Sequence, residues 1–476
     1  MSAKILHLLF LALALPMMYH PASLAATEIP VAAMSEQVQK QVAAQEVQLQ
    51  QLRKQAAQDP EQYLPVLITA INQLGNIYHH ANHYQQAHAA YAEALQLCEK
   101  AEADKPGKFQ ALLYMLFNNQ ALLFETEKNW TQAILFNEKA VAVSRLQATK
   151  DSETYLPQLT TVLYNLATLY REQRLTTEAK AAYVEVIEHC RKLIKKDAAS
   201  YEPGLAAANF YLGLIHYAEE NYSTAKQCFE VSLPIYRAAI TSDPRRNKEL
   251  AIILGKLGHI NMLDHQHVKA RQLLDEARLL YQTASSKKDA ADLFDFAEVL
   301  KDLGDLNMTE NQPAQAQAAY EDAASIYRKL PANILDIARP LFASVLTELG
   351  NSYAQERKAE KARVVFEEAA EQWRKLAATE ADLYALSLAR MQVQLGLIYV
   401  HQNKSPLAQA AFEEACTLYA AARPEKIPDA LSDHILALSQ LLRLSVAEKR
   451  DDDTRQLSDR LKPLLRQQAQ THSETK

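Results

Sequence analysis

Eight anchor residues spaced at one interval restrict the fold of this chain more than any other feature. Leu74, Gln120, Leu166, Leu212, Leu257, Leu303, Leu349 and Leu395 are separated by 46, 46, 46, 45, 46, 46 and 46 residues. A fixed period of that size means stacked supersecondary units, none of which can bury its apolar face alone. Neighbouring phases repeat too. One residue after the anchor stand Gly75, Ala121, Ala167, Gly213, Gly258, Gly304, Gly350 and Gly396. Six of the chain's 9 glycines thus share a phase, which points to close helix contact and not to loop freedom. Every unit has alanine thirteen residues after the anchor, from Ala87 to Ala408, and a large apolar residue seven before it, from Leu67 to Leu388. Seventeen after it come Tyr91, Asn137, Tyr183, Phe229, Leu274, Tyr320, Phe366 and Phe412.

Positions −7, −3, 0 and +4 from the anchor fall on one face of a helix, as Leu67, Ile71, Leu74 and Tyr78 do in the first unit. A polar break follows, ANHYQQ in unit one and AEENYS in unit four, and then a second periodic run. Each unit therefore reads as two antiparallel helices of ~18 residues, about 27 Å long at 1.5 Å per residue. The small residue at +1 lets the second helix approach, with the alanine at +13 opposite. Composition agrees: 49% hydrophobic residues are too many for disorder, and 9 glycines are too few for a turn-rich β fold. A formal charge of −6 leaves no basic excess for phosphates, so nucleic acid is not expected as a partner.

The series LGNIY, QALLF, LATLY, LGLIH, LGHIN, LGDLN, LGNSY and LGLIY, each followed by the alanine and in most units an aromatic, resembles the tetratricopeptide repeat. That unit has 34 residues. The longer units here resemble those of kinesin light chains and of bacterial long-unit arrays, with lead-ins such as DPEQYLPVL, DSETYLPQL and DAASYEPGL. The resemblance covers residues 59–428 and implies an all-α, right-handed solenoid of eight helical hairpins with helical caps at both ends. Gln120 and Asn137 in unit two, and Asn261 and Asn307 at +4, depart from the pattern.

The ends read as caps. Residues 26–58 comprise a linker and an amphipathic helix over 34–58, with Val38, Val42, Leu49 and Leu52 on one stripe. Residues 429–469 form a degenerate ninth hairpin with its anchor at Leu441, Leu442 in the glycine position and Thr454 for the alanine. Residues 470–476 are expected to be a mobile tail. Residues 1–25 read as a signal peptide: Lys4, an apolar stretch interrupted by His7 and Pro16, then Ser23 and Ala25 at a cleavage spacing. The alternative is an uncleaved membrane anchor. No later run of 18 apolar residues is evident, so no membrane insertion is expected after cleavage. Export to the periplasm, or secretion, follows as the expected localisation.

Phase also bears on the reactive side chains. Cys98 and Cys190 occupy the +24 slot that aromatics fill elsewhere, two units apart and beyond disulfide reach. Cys228 and Cys416 lie in other slots, so four buried free thiols are expected. His79 and His83, with His80 and His88, cluster at the turn of unit one. Two histidines four apart can share a metal on one helix face, although the turn breaks the helix there and no acidic or thiol ligand stands beside them. A solvated turn is the expectation, with a metal-responsive binder as the alternative. No Gly-rich phosphate loop, GxSxG, HExxH or CxxC is present. No enzyme activity and no cofactor are expected.

The first helices remain. At 100° per residue, −2, +2 and +5 fall together, away from the core stripe. In the resembled family that side lines a concave groove in which extended peptides lie. Here it carries Asn72, Asn76, Asn118, Tyr164 and Arg171, followed by an apolar step of Phe210, Leu214 and Tyr217. Side-chain amides both donate to and accept from a peptide backbone. Some relatives grip a C-terminal carboxylate with Lys at −2 and Asn at +2, and no unit here has that pair. The expected function is a protein–protein interaction scaffold of the cell envelope holding a peptide or partner protein. The rival reading is self-assembly into an envelope structure.

Overall fold

The computed structural model describes residues 35–240, 246–283, 289–421 and 428–474; the expected signal peptide and linker, residues 1–34, lie outside them. The described residues hold nineteen helices and no strand. They divide into two compact arrays, one running to Ala238 apart from Ala218–Glu220, the other beginning at Ala239. The N-terminal array consists of α1 (Glu36–Gln58) and four hairpins. These are α2 and α3 (Pro60–His80, Tyr84–Asp104), α4 and α5 (Gln110–Thr126, Trp130–Lys150), α6 and α7 (Ser152–Glu172, Thr176–Leu193), and α8 and α9 (Ala198–Ala218, Tyr222–Ala239). The C-terminal array has five hairpins. Its first three are α10 and α11 (Asn247–Leu263, His267–Thr283), α12 and α13 (Ala290–Thr309, Pro313–Tyr327), and α14 and α15 (Ala332–Gln355, Ala359–Thr379). They are followed by α16 and α17 (Ala381–His401, Ser405–Ala421) and by α18 and α19 (Pro428–Ala447, Asp451–Glu474).

One device turns every hairpin. Asn82, Lys128, Arg174, Glu220, His265, Asn311, Arg357, Asn403 and Lys449 all have positive φ, between 55° and 62°. Each stands eight residues after its anchor, and none is glycine. In the first hairpin Asn82 N–H donates to His79 C=O at 2.9 Å and His83 N–H to Tyr78 C=O at 2.9 Å. This paired closure satisfies two orphan carbonyls of the ending helix. The same pair recurs around Lys128, Arg174, His265, Asn311, Arg357, Asn403 and Lys449. In the hairpins whose caps are described, the residue after the left-handed one is the N-cap of the second helix, as His83, Asn129, Leu175 and Lys358 are, so the turn has no slack.

The glycine phase has a direct cause. A Cβ on Gly75, Gly304, Gly350 or Gly396 would lie 2.4–2.5 Å from the ring of Tyr91, Tyr320, Phe366 or Phe412. The group that strikes first is therefore the +17 side chain of the second helix, with the +13 alanines fully buried beside it. Where the small residue is Ala121, the ring is replaced by Asn137, whose Nδ2 donates to Glu125 at 3.1 Å. In the ninth hairpin the sizes are exchanged, with Leu442 at +1 and Ser458 at +17.

Neighbouring hairpins are tied at fixed offsets. Arg145, Arg328 and Arg374 pair with Glu185, Glu368 and Glu414 at 2.5, 2.6 and 3.0 Å, each across 40 residues. Tyr170, Tyr353 and Tyr399 at +4 donate to Glu138, Glu321 and Glu367 of the preceding second helix, each across 32 residues. Asn307, which replaces the +4 aromatic, instead accepts from Arg271 at 2.7 Å. Arg53 pairs with Glu93 at the same 40-residue offset, at 2.7 Å. Leu52 lies one period before Cys98, and both are buried. Helix α1 thus has the phase of a second helix and packs along α2 as half a unit.

All four cysteines are free and buried. Burial pushes the Cys98 and Cys416 thiols up to about 12 and those of Cys190 and Cys228 up to about 11. At the C-terminal end α19 continues to Glu474, so the stretch from residue 470, expected as a tail, is helical that far. Among the described residues, α16 is long and apolar enough to cross a bilayer, which the sequence reading did not anticipate. Half of its apolar window is buried against its neighbours.

Candidate functional site

A first helix touches its own partner, the preceding second helix and the first helices beside it, so only a narrow strip faces solvent. In the N-terminal array that strip is −5, −1 and +2, rotated by roughly 60° from the expected −2, +2 and +5 row. Positions −2 and +5 turn toward neighbouring first helices. Asn72 is accordingly 2% exposed and accepts a hydrogen bond from Asn119 of the next hairpin at 2.9 Å. It is a link between hairpins and not a binding group. Phe210 and Tyr217 are buried as well, so the apolar step expected of them is core. Asn76, Asn118, Tyr164, Arg171 and Leu214 are half-buried. Asn76 accepts from the Tyr91 hydroxyl at 2.6 Å, and Tyr164 sets its ring edge against Tyr183. The Arg171 guanidinium lies 4.4 Å above the Tyr211 ring.

In the N-terminal array the strip is polar and neutral on hairpins one and three and mostly apolar on hairpins two and four, which carry Met115, Asn119 and Leu122, and Ala207, Tyr211 and Leu214. Hairpin one contributes Thr69, Gln73 and Asn76, and hairpin three Thr161, Asn165 and Thr168, with Gln73, Thr161 and Asn165 exposed. Between them Leu122 is 48% exposed. The amide character read from the sequence survives, but on residues one helical position away.

In the C-terminal array that side of α10 and α12 is largely covered, with Lys256, Asp295 and Asp302 buried, and it carries an ionic cluster that the sequence reading did not single out. Lys256 Nζ on α10 meets Glu298 Oε2 on α12 at 2.7 Å and Asp295 Oδ1 at 3.9 Å. His259 Nδ1 faces Asp302 at 3.1 Å. Lys301 Nζ meets Asp305 Oδ2 at 2.6 Å, and Tyr320 donates to Asp305 at 2.7 Å. Burial raises the Asp295 carboxyl to about 7, against the pull of Lys256. Burial acts on Asp302 in the same direction, but His259 and Lys301 override it and hold that carboxyl low. Ion pairs in so buried a setting need mutual partners to persist. The only signal in the sequence was charge inside otherwise apolar first helices.

The histidines separate. Helix α2 stops at His80 and Asn82 is left-handed, so His79 and His83 do not share a helical face. His79 Nε2 lies 3.0 Å from Thr126 Oγ1, His88 Nε2 lies 2.7 Å from Glu127, and His83 is buried. No group of three or more His, Cys, Asp or Glu side chains among the described residues is arranged to hold a metal ion.

The repeated hairpin can now be compared with known ones. The family described as Tetratricopeptide repeat matches residues 67–102 and again residues 160–191. The other hairpins share the period and the left-handed turn, and each array is an all-α stack of long tetratricopeptide-like hairpins. No curated protein matches the sequence. Similar solved structures include BtubC (BKLC) from P. vanneervenii, 20% identical, covering 54% of this chain and 95% of its own, with a TM-score of 0.38. The apo quorum sensor NprR from B. thuringiensis is 15% identical, covers 84% and 98%, and has a TM-score of 0.40. PilF from Pseudomonas aeruginosa is 19% identical, covers 56% and 94%, and has a TM-score of 0.34. At these scores none of the superpositions bears on curvature or function.

Proposed function

We propose that this chain is an exported, non-catalytic protein–protein interaction scaffold of the cell envelope. It holds an extended peptide or a partner segment along the exposed strip of the first helices in its N-terminal array. The observation that carries the reading is the set of neutral hydrogen-bonding side chains at the same phase on the first helices of hairpins one and three: Gln73 and Asn76, then Thr161, Asn165 and Thr168. Such groups can follow a peptide backbone without demanding one sequence. Leu122, left half-exposed between them, offers an apolar contact. The leader-like residues 1–25 support the envelope location.

Site-specific photocrosslinking in intact cells tests this. A crosslinker at Asn165 or Gln73 is expected to trap a partner in the exported fraction, and one at Val184, exposed on a second helix, is not. Equal capture from all three positions, or capture from Val184 alone, would move the binding surface elsewhere.

A further inference from the structure

In the C-terminal array, the chain's seventh and eighth hairpins, with Ala430 of the ninth, line a cavity of about 400 Å³. That volume falls in the range of small-ligand sites. Leu383, Met391 and Pro340 form apolar wall, and Trp373, Tyr384 and Tyr419 present aromatic side chains. The rings are fixed. Trp373 Nε1 donates to Thr347 Oγ1 at 3.1 Å, and its ring lies 5.9 Å from that of Tyr384 at 34°. Two polar features stand out in this lining. Tyr384 is 1% exposed, yet its hydroxyl has no hydrogen-bond partner. A buried hydroxyl in that state, like those of Tyr281 and Tyr327, has a hydrogen bond to offer to water or to a ligand. Glu348, half-buried in the same wall, has only a 3.4 Å contact from Asn351 of its own helix. Burial raises its carboxyl, and Asp305 nearby adds to that while Lys301 opposes it. The remaining charge in the lining, Arg390, is offset by Asp433 at 3.0 Å.

An apolar and aromatic wall carrying acceptor groups and one uncompensated carboxylate suits a planar cation with several N–H donors. We infer that this cavity receives an arginine side chain of a bound partner, its aliphatic stem against Leu383 and Met391, its guanidinium against the aromatic rings, Glu348 and the Tyr384 hydroxyl. Guanidinium stacks on aromatic faces and bonds carboxylates through paired N–H groups, which an ammonium cannot do equally. The inference rests on the reading of the chain as a partner-binding scaffold and adds a second contact, in the C-terminal array, with its own side-chain preference.

Trp373 reports on the cavity. The chain has 2 tryptophans, so in Trp130→Phe, with helicity checked by circular dichroism, the emission comes from Trp373 alone. Titration with Nα-acetyl-arginine amide is expected to change that emission saturably. Nα-acetyl-citrulline amide, equal in shape without the charge, should bind at least tenfold more weakly. Glu348→Gln should weaken the arginine probe tenfold or more, and Tyr384→Phe several-fold. No saturable response, or equal responses to the two probes, would overturn the assignment. Crosslinking from Asn165 and Gln73 reads the peptide-binding proposal separately: if it succeeds while the titration fails, only the arginine pocket is lost.

Discussion

Nine residues with side chains occupy left-handed positions where glycine would fit with less strain. The left-handed conformation costs an L-residue ~1–2 kcal/mol, against the ~0.5–1 kcal/mol of extra chain entropy that glycine loses on folding. Arg357, with φ 60°, illustrates the balance. Arg357→Gly is expected to stabilise the protein by ~0.5–1 kcal/mol in urea or guanidinium denaturation. A loss of stability would mean that the arginine makes a compensating contact of its own. The glycine phase behaves in the opposite way. A methyl on Gly350 would sit 2.4 Å from the Phe366 ring. Gly350→Ala should therefore destabilise by ~1–3 kcal/mol through overpacking. Gly204, where the nearest atom is Cys190 Sγ at 3.5 Å, is the control: the same substitution there should be neutral or mildly stabilising, because alanine is the better helix former. The comparison separates contact from propensity within one protein.

At the scale of the helix, His434 of α18 is the residue most at odds with its surroundings. It is 5% exposed, stacks at 5.6 Å on Tyr419, and neither ring nitrogen has a hydrogen-bond partner. Burial, helped by the Arg460 charge, pushes its pKa down to about 4. Between that value and the ordinary 6.5 the unfolded chain binds the proton and the folded one does not. The contribution to stability is therefore complete above pH 6.5 and is lost as pH falls toward 4. Denaturation midpoints measured from pH 7 to 4.5 should fall more steeply in the wild type than in His434→Phe. Parallel profiles would show that the imidazole is not the group responsible. Helices were also where the sequence could be read and where it misled. The periodicity placed each first helix and its core stripe, but amphipathic phase distinguishes buried from exposed only when one side is covered. Here two flanks are covered as well, which is why Asn72 became a link to Asn119 and Phe210 became core. No one-dimensional pattern reports how many neighbours a helix will have. The ionic cluster escaped for the same reason: Lys256 and Asp302 look like solvated charges until α10 and α12 are laid side by side.

For the chain as a whole, the period was legible because it is a packing constraint written out repeatedly: a small residue at +1 meets the side chain at +17 in eight of the nine hairpins, and Arg meets Glu across 40 residues at four places. The left-handed turn residues escaped notice because asparagine, lysine, arginine, glutamate and histidine share only their polarity, while the backbone φ at those positions lies between 55° and 62°. If the period and not the individual sequence sets the register, removal of one whole period should be tolerated. Deletion of residues 129–174 removes α5 and α6 and joins Lys128, already left-handed, to Leu175, which opens α7. Ala121 then shares a hairpin with Tyr183 at +17, the phase it holds beside Ala167 in the native hairpin, where both are fully buried. The shortened chain is expected to keep its helicity per residue and to melt cooperatively, at a temperature lowered by the loss of one unit and one interface. A deletion two residues shorter places the retained helix roughly 200° out of phase, so its apolar face points at water. That variant should lose cooperative melting of the N-terminal array and become sensitive to proteolysis around the junction. Equal thermal unfolding of the two deletions would show that adjacency of helices, without the 46-residue register, is enough to hold the array together.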